Sequence, residues 1–373
     1  MTNLPKSELS LSGRQRPRLS VIIPVFNGRD YLPRCLKALV ASNRTPHEVL
    51  VVDDGSTDGT VSIARAHGVR VLELHDKPRG PAFARNRGSV VATGDVLVFI
   101  DADVVVHADT LERIESTFAQ EPAVQALFGS YDDNPPSPEV ASRFKNLLHH
   151  YVHQHGNRNA TTFWAGCGAI RKKAFFESGG FAESYLRPSI EDIELGLRMH
   201  RANAVIRLCP EIQATHLKRW TLLGLWRTDI FCRAVPWTRV ILSEGHLCTD
   251  LNLDWRSRMS AATSWLSVAM LLASVALLCN GSGKLGLWLG LGALLTLATT
   301  TVLNADLHRF FFRHGGLRFS FGTWLLHTVY LLYSSAVFAT LLVGKTLRLI
   351  VVRRREEPTP LKSTPQLPNY VQT

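Results

Sequence analysis

Cysteine is scarce in this chain and poorly spaced for chemistry. Cys35, Cys167, Cys209, Cys232, Cys248 and Cys279 show no metal-ligand or redox spacing, which leaves scattered thiols of a reducing compartment. The first residues lack an apolar run, so no cleavable signal peptide is expected. Residues 1–17 are polar, with Pro, Ser and Arg, and read as a disordered arm. Acidic residues are outnumbered, 31 against 42 Lys and Arg, for a formal net charge of +11. The basic residues are spread out and no nucleic-acid motif gathers them, so the surplus points to anionic lipid headgroups and away from nucleic acid. Charge is absent altogether from residues 260–279, 285–303 and 321–343. Each stretch is about the ~20 residues a helix needs to cross a bilayer. Three in succession are too many for the buried core of one small region. A length of 373 residues fits about two domains, here a soluble one up to about Asp254 and a membrane one after it.

The soluble part is built on apolar runs that end in polar loops. Val96-Leu-Val-Phe-Ile100 is followed by Asp101-Ala-Asp103. The run has no polar alternation, so it reads as a strand buried on both faces of a parallel sheet. Leu19-Ser-Val-Ile-Ile23 leads into Pro24 and Asn27-Gly28, and Val49-Leu-Val-Val52 into Asp53-Asp54-Gly-Ser-Thr-Asp58. Val69-Arg-Val-Leu72 adds a fourth strand. Stretches of helical composition follow, with Asp58 placed to cap the helix that opens near Thr60. This alternation predicts a doubly wound α/β domain whose polar residues collect at one sheet edge. Two Asp at such an edge read either as turn-capping residues or as hard oxygen ligands for Mg²⁺ or Mn²⁺ carrying a phosphorylated substrate.

Six elements in order decide between these readings. They are Val21-Ile-Ile-Pro24-Val-Phe-Asn27, Val51-Val-Asp53-Asp54-Gly-Ser-Thr-Asp-Gly-Thr60, Ala84-Arg85-Asn-Arg-Gly88 with Thr93-Gly-Asp95, Asp101-Ala-Asp103, Trp164-Ala-Gly166-Cys-Gly168, and Gly179-Gly-Phe181 through Glu191-Asp192. Together they resemble the family 2 glycosyltransferases of the GT-A fold, over roughly residues 18–220. The resemblance implies a Rossmann-like sheet domain at 18–215 that moves a sugar, with inversion, from a nucleotide-diphosphate donor, a UDP-sugar first.

The resemblance also distributes roles. Pro24, Asn27, Asp53 and Asp54 would hold the base and ribose, Arg85 the diphosphate, Asp101 the ribose or a metal-bound water, and Asp103 the metal. Asp192 would be the general base. On its residues alone, Ser189-Ile-Glu-Asp192 also fits a capping box, with Glu191 an acceptor or structural contact. Gly166 and Gly168 read either as a close approach to the acceptor beside Trp164 or as a tight turn. His216-Leu-Lys-Arg219-Trp220 resembles the Gln-x-x-Arg-Trp element of processive membrane synthases, with His in place of Gln; it would lie by the acceptor and the diphosphate. Four His between His149 and His155 lack a metal pattern and read as a polar loop. No Gly-rich phosphate loop of the nucleotidyltransferase type is present near Pro24.

Beyond the sheet domain, residues 216–255 mix Trp, Leu and Arg, as in Trp220, Trp226, Arg227, Arg233, Trp237 and Arg239, which suits an amphipathic segment at the bilayer interface. About three transmembrane helices follow at 256–352, then a basic and disordered tail at 353–373. With the sheet domain cytosolic, the 306–319 loop carries Arg309, Arg313 and Arg318 inside, in line with the positive-inside rule. A third crossing would then put Arg353, Arg354 and Arg355 outside, against it. Either the last segment does not cross fully, or it splits near Gly344-Lys345, or the rule is overridden. A multi-pass enzyme with a lipid-linked acceptor, a polyprenyl phosphate or a glycolipid headgroup, is the expectation that follows.

Overall fold

The structure is a computed structural model that describes residues 16–74, 77–244 and 255–356. Most of the expected arm, and the tail after Glu356, lie outside the described residues. In chain order the elements are β1 (Leu19–Val25), α1 (Leu32–Val40), β2 (Glu48–Asp53), α2 (Thr60–Ala66), β3 (Arg70–Glu73), α3 (Pro81–Val91), β4 (Val96–Ile100), β5 (Val104–Val106), α4 (Thr110–Gln120), β6 (Val124–Tyr131), α5 (Val140–His155), β7 (Asn159–Ala160), β8 (Cys167–Arg171), α6 (Lys172–Glu177), α7 (Glu191–Arg201) and β9 (Val205–His216). Then come α8 (Leu222–Arg227), a π-helical stretch (Thr228–Ala234), α9 (Val235–Glu244), α10 (Trp255–Cys279), α11 (Gly283–Leu303) and α12 (Ala305–Glu356).

The four apolar runs pair in parallel in the order β3-β2-β1-β4. The sheet then continues β8-β6-β9-β5, and β8 is antiparallel to both β4 and β6. The sheet is therefore mixed, where the sequence predicted a parallel one. The second half escaped notice because β9 carries Arg207, Pro210 and Glu211 and shows no apolar run. Alternation along the strands splits the core in two. Val21, Ile23, Val98 and Ile100 meet Leu32, Leu36, Leu111 and Ile114 on one face. Ile22, Leu97 and Phe99 meet Ala84, Phe175 and Leu195 on the other. The carboxyl ends of β1, β2 and β4 thereby share one edge.

A third core joins this domain to the C-terminal helices. Phe144, Leu147 and Leu148 of α5 pack with Trp220, Leu225, Leu307, Phe311 and Phe319. The segment expected as a loop at 306–319 is instead helical up to a break at Gly316, whose φ of 68° is left-handed and suits glycine. Its first turns dock on α5: Arg143 donates to the His314 carbonyl, and His314 Nε2 lies 3.1 Å from Asp133 Oδ2. The chain is continuously helical through Gly344, so it does not split there.

Three helices are long and apolar enough to cross a membrane. α10 and α11 form a hairpin with an inverted pattern. Leu272, Val275, Leu287 and Leu294 face outward, while Ser264, Ser267, Ser274, Gly286, Ala293 and Thr300 are buried between the helices. Ser267 donates to the Ala293 carbonyl at 2.8 Å and Ser274 to that of Gly286 at 2.7 Å. Small residues inside, with hydroxyls bonding across, are the packing of helices surrounded by lipid. α12 lies across this hairpin. Trp324 reaches Thr301 and Ser335 reaches Trp265. About 16 Å of helix separate Trp324 from Ser335, yet Thr301 and Trp265 flank one bonded level of the hairpin, Thr263 with Thr300. Beyond it α12 follows residues 228–244, with Tyr333 on Asp229 and Lys345 on the Leu242 carbonyl.

Candidate active site

The loops after β1 and β2 are knitted together by side chains. Asn27 takes a positive φ of 53°, a conformation Asn tolerates. Its Oδ1 accepts from Thr57 N at 2.9 Å, and its own N–H donates to Ser56 Oγ at 2.8 Å. Asp53 Oδ2 accepts from the N–H groups of Gly55 and Ser56, while its Oδ1 is buried without a partner. Asp54 accepts from Arg79 N and, at 2.7 Å, from Gly80 N. Both carboxylates thus shape the edge of the site, and Asp54 fixes the start of α3. The N-cap of α2 is Gly59, and not Asp58 as expected; Asp58, one residue earlier, accepts from Thr60 N and from Arg29 N at 3.0 Å.

At the end of β4 the carboxylates converge. Arg85 of α3 donates to Asp101 Oδ1 at 2.7 Å and to Glu191 Oε1 at 2.9 Å. Its side chain is only 5% exposed. Both terminal nitrogens are engaged by carboxylates, its Nε has no partner, and the residue borders the cavity of the site. Burial works against its charge, yet Asp101, Glu191 and Asp192 raise its pKa above the ordinary value. Burial pushes the Asp101 carboxyl up, against the pull of Arg85. Burial would also raise Asp103, but a hydrogen bond and the charge of His216 bring it below the usual carboxylate range.

Asp103 Oδ2 lies 3.5 Å from His216 Nε2. The other ring nitrogen, Nδ1, bonds Asn146 Oδ1 at 2.6 Å, an outer partner that fixes the ring with Nε2 toward Asp103. That is the arrangement of a metal-binding His held by an outer partner. Among the described residues no group of three or more His, Cys, Asp or Glu could hold a metal alone. Two protein ligands completed by substrate phosphates and water nevertheless fit a Mg²⁺-type ion.

Asp192 occupies the first turn of α7. Its Oδ2 accepts from Ala165 N at 3.0 Å and its Oδ1 from Ile193 N at 2.8 Å. The capping box does not form: Ile190 is the N-cap residue, Glu191 receives Ser189 N, and Ser189 Oγ donates to the Cys232 carbonyl. Burial, with Glu191 beside it, pushes the Asp192 carboxyl up to about 6. Gly166 and Gly168 serve packing. A Cβ on Gly166 would lie 2.4 Å from the Trp164 ring, and one on Gly168 2.3 Å from the Trp164 carbonyl.

An aromatic stack continues from the site. Tyr131 lies flat on His216, centroids 4.4 Å apart, and on His149 at 5.9 Å, with Trp164 edge-on at 4.6 Å. The residues expected as a polar histidine loop are the last turns of α5: His149 and His153 turn inward, and His150 and His155 bond backbone carbonyls. Of the downstream element, His216 and Trp220 are buried, Lys218 Nζ sits 4.4 Å from the Trp220 ring centre, and Arg219 turns to Glu139. Asp101, Asp103, Asp192, His216, Trp164 and Trp220 border one cavity of about 1720 Å³, which runs from Pro24 and Asn27 to Arg256, Tyr330 and Phe338 of the apolar helices. Asp53 and Gly166 do not border it. Tyr131, which belongs to no motif, borders it, as do His149 and Arg233, which were expected in a polar loop and an interfacial segment.

Residues 20–179 match the family model for glycosyl transferase family 2. This domain is a family 2 glycosyltransferase domain. It is 39% identical over 100 residues to an uncharacterized glycosyltransferase, YibD, of Escherichia coli (strain K12), which covers 26% of this chain and 29% of that protein. It is also 39% identical over 109 residues to the glycosyltransferase AglE of Haloferax volcanii, covering 28% and 36%. The chain thus spans about a third of the length of these curated relatives. Among solved structures, the mannosyltransferase PcManGT from Pyrobaculum calidifontis, in complex with GDP-Man and Mn²⁺, shares the fold. It covers 87% of this chain and 88% of its own, at a TM-score of 0.54 and 18% identity. In the glycosyltransferase domain described here, then, the GT-A sheet edge carries Asp101, Asp103, Asp192 and His216 together.

Proposed function

We infer that this chain is a metal-dependent, inverting glycosyltransferase that takes a sugar from a nucleotide-diphosphate donor and places it on a lipid-linked acceptor. The observation that carries the reading is the single cavity that joins Asp103, His216 and Asp192 to the apolar helices. Pro24, Phe26 and Asn27 form its donor end, with UDP-sugars the first to test and GDP-sugars beside them. Asp103 and His216 would hold Mg²⁺ or Mn²⁺. A cation there neutralises charge that builds on the leaving diphosphate. Arg85 keeps Asp101 and Glu191 in register with it.

Asp192 takes the proton of an acceptor hydroxyl. The acceptor oxygen attacks the anomeric carbon on the face away from the diphosphate, the bond from that carbon to the diphosphate oxygen breaks, and the nucleoside diphosphate leaves. A carboxyl near 6 is a stronger base than an ordinary one and is still ionised at neutral pH. The hairpin of α10 and α11 would cross the bilayer, with the sheet domain on the cytosolic face where nucleotide sugars are made.

Membranes holding the protein are incubated with labelled UDP- and GDP-sugars, and label is followed into the lipid extract. Transfer to lipid that stops with excess chelator or with Asp103→Ala is the expected result. Full transfer in chelator would remove the metal, and label found only on soluble products would remove the lipid acceptor.

A further inference from the structure

Where the cavity passes from the sheet domain to the apolar helices, its wall carries more positive than negative charge. Lys145 Nζ donates to Asp229 Oδ1 at 2.6 Å, and Tyr333 of α12 donates to Asp229 Oδ2 at 2.9 Å. Lys145 and Asp229 are 5% and 3% exposed, so this is a closed pair. Arg233 is the second cation of the group. It stands 3.8 Å from Asp229 Oδ1, within ion-pair range but beyond hydrogen-bond reach, and shares that carboxylate with Lys145 and Tyr333. Its guanidinium donates instead to His149 Nε2 at 2.8 Å. His149 contributes no compensating charge: burial, and Arg233 itself, hold its pKa well below the ordinary value, so the ring is neutral. Two cations therefore face one carboxylate. The surplus charge is on Arg233, which keeps 36% of its side chain exposed and borders the cavity together with Lys218 and Trp220.

A surplus guanidinium in a partly desolvated chamber is stabilised by an anion, and its fork matches phosphate oxygens. Position argues for an anion other than the donor's. Arg233 reaches the Asp103 side through His149, Tyr131 and His216, a stack of three rings, and also lies 6.0 Å from the Trp220 ring centre. On its other side the Asp229 carboxylate binds Tyr333 of the last apolar helix. We propose that Arg233 binds the phosphate of a membrane-embedded acceptor that also carries the hydroxyl to be glycosylated, a phosphorylated glycolipid, and so selects anionic lipid acceptors over neutral ones. His149 and the charge of Asp229 hold Arg233 in place, and Lys218 lies with it against the Trp220 ring. This rests on the lipid-acceptor reading above and narrows it to a charged headgroup.

The test uses the full chain in detergent, with farnesyl phosphate, farnesol and inorganic phosphate as probes and binding read from tryptophan fluorescence or thermal shift. Farnesyl phosphate is expected to bind at least tenfold more tightly than farnesol or inorganic phosphate. Arg233→Gln should lose that tenfold, and Arg233→Lys should keep most of it. UDP or GDP affinity, measured on the same samples, should be equal in all three proteins, which also certifies their folding. Equal binding of farnesol and farnesyl phosphate overturns the proposal. So does inorganic phosphate binding as tightly as the lipid phosphate, or an equal fall in nucleotide affinity, which would make Arg233 a donor residue. Metal-dependent hydrolysis of the donor in these samples reports separately on the glycosyltransferase reading and survives any of these failures.

Discussion

Asp192 is asked to be both buried and basic, and the two demands leave a signature in pH. Its carboxyl is raised to about 6, so transfer to a hydroxyl acceptor should rise as pH climbs through that value. Asp192→Asn should lower the rate by about 10²–10⁴-fold and abolish that limb of the profile. A raised carboxyl also means that the folded state binds its proton more tightly than the unfolded chain, so Asp192 takes stability away as pH rises from the ordinary carboxylate range to about 6. Asp192→Asn should therefore melt no lower than wild type at pH 7. A fall in melting temperature with an unchanged rate would make the residue a helix cap. The outer partner of His216 gives a second test. Asn146→Ala frees Nδ1, and the Mn²⁺ concentration for half-maximal activity should rise by about 10–100-fold. Titrating metal against rate checks this. At this scale the acidic motifs were legible because β-strand runs end in them. The place of Tyr131, His149 and Arg233 was not: His149 reads as a polar loop and Arg233 as an interfacial residue, and only the tertiary fold stacks the first two rings and makes the third share Asp229 with Lys145.

The elements are held at the site by a few shared side chains. Arg85 ties α3, the end of β4 and the start of α7 together through two carboxylates. Arg85→Met would leave buried Glu191 with only the Ser189 N–H and half-buried Asp101 without its counter-ion, at a cost of about 3–5 kcal/mol. Arg85→Lys, lacking the fork, should recover only part of it. Denaturant midpoints measured for the two variants test this. The four parallel strands were readable because uninterrupted apolar runs mean burial on both faces. The antiparallel half and helix α5 were not, since Pro210 and the cluster of histidines mask their periods. In the hairpin the small polar seam makes a further prediction. Ser267→Leu should wedge α10 from α11 and lower the thermal midpoint in detergent, whereas Leu272→Ala on the outer face should leave it nearly unchanged.

Across the whole molecule the membrane region was legible as three uncharged stretches, but its path was not. Hydropathy reports apolar length and is blind to direction, so it could not tell that α12 lies across the hairpin and along residues 228–244. That path brings Lys345 of α12 onto the Leu242 carbonyl of α9. A tag placed after Thr373 should therefore be reached by a membrane-impermeant label from the same side as one placed before β1. Labelling from opposite sides would mean that α12 crosses. The third core carries a different consequence. Phe144, Leu147, Leu148 and Trp220 are covered by Leu307, Phe311 and Phe319, which leave the ribosome some ninety residues after Trp220. A nascent sheet domain would thus wait, with an open greasy flank, until the hairpin has been inserted and the chain has returned to close it. Synthesis itself would then time the enzyme's birth, and a copy that missed the membrane would stay unfinished and fall to proteolysis. A pulse-chase with the chain stopped before Ala305 should show rapid degradation; a stable, folded product would mean that the flank closes without the returning segment.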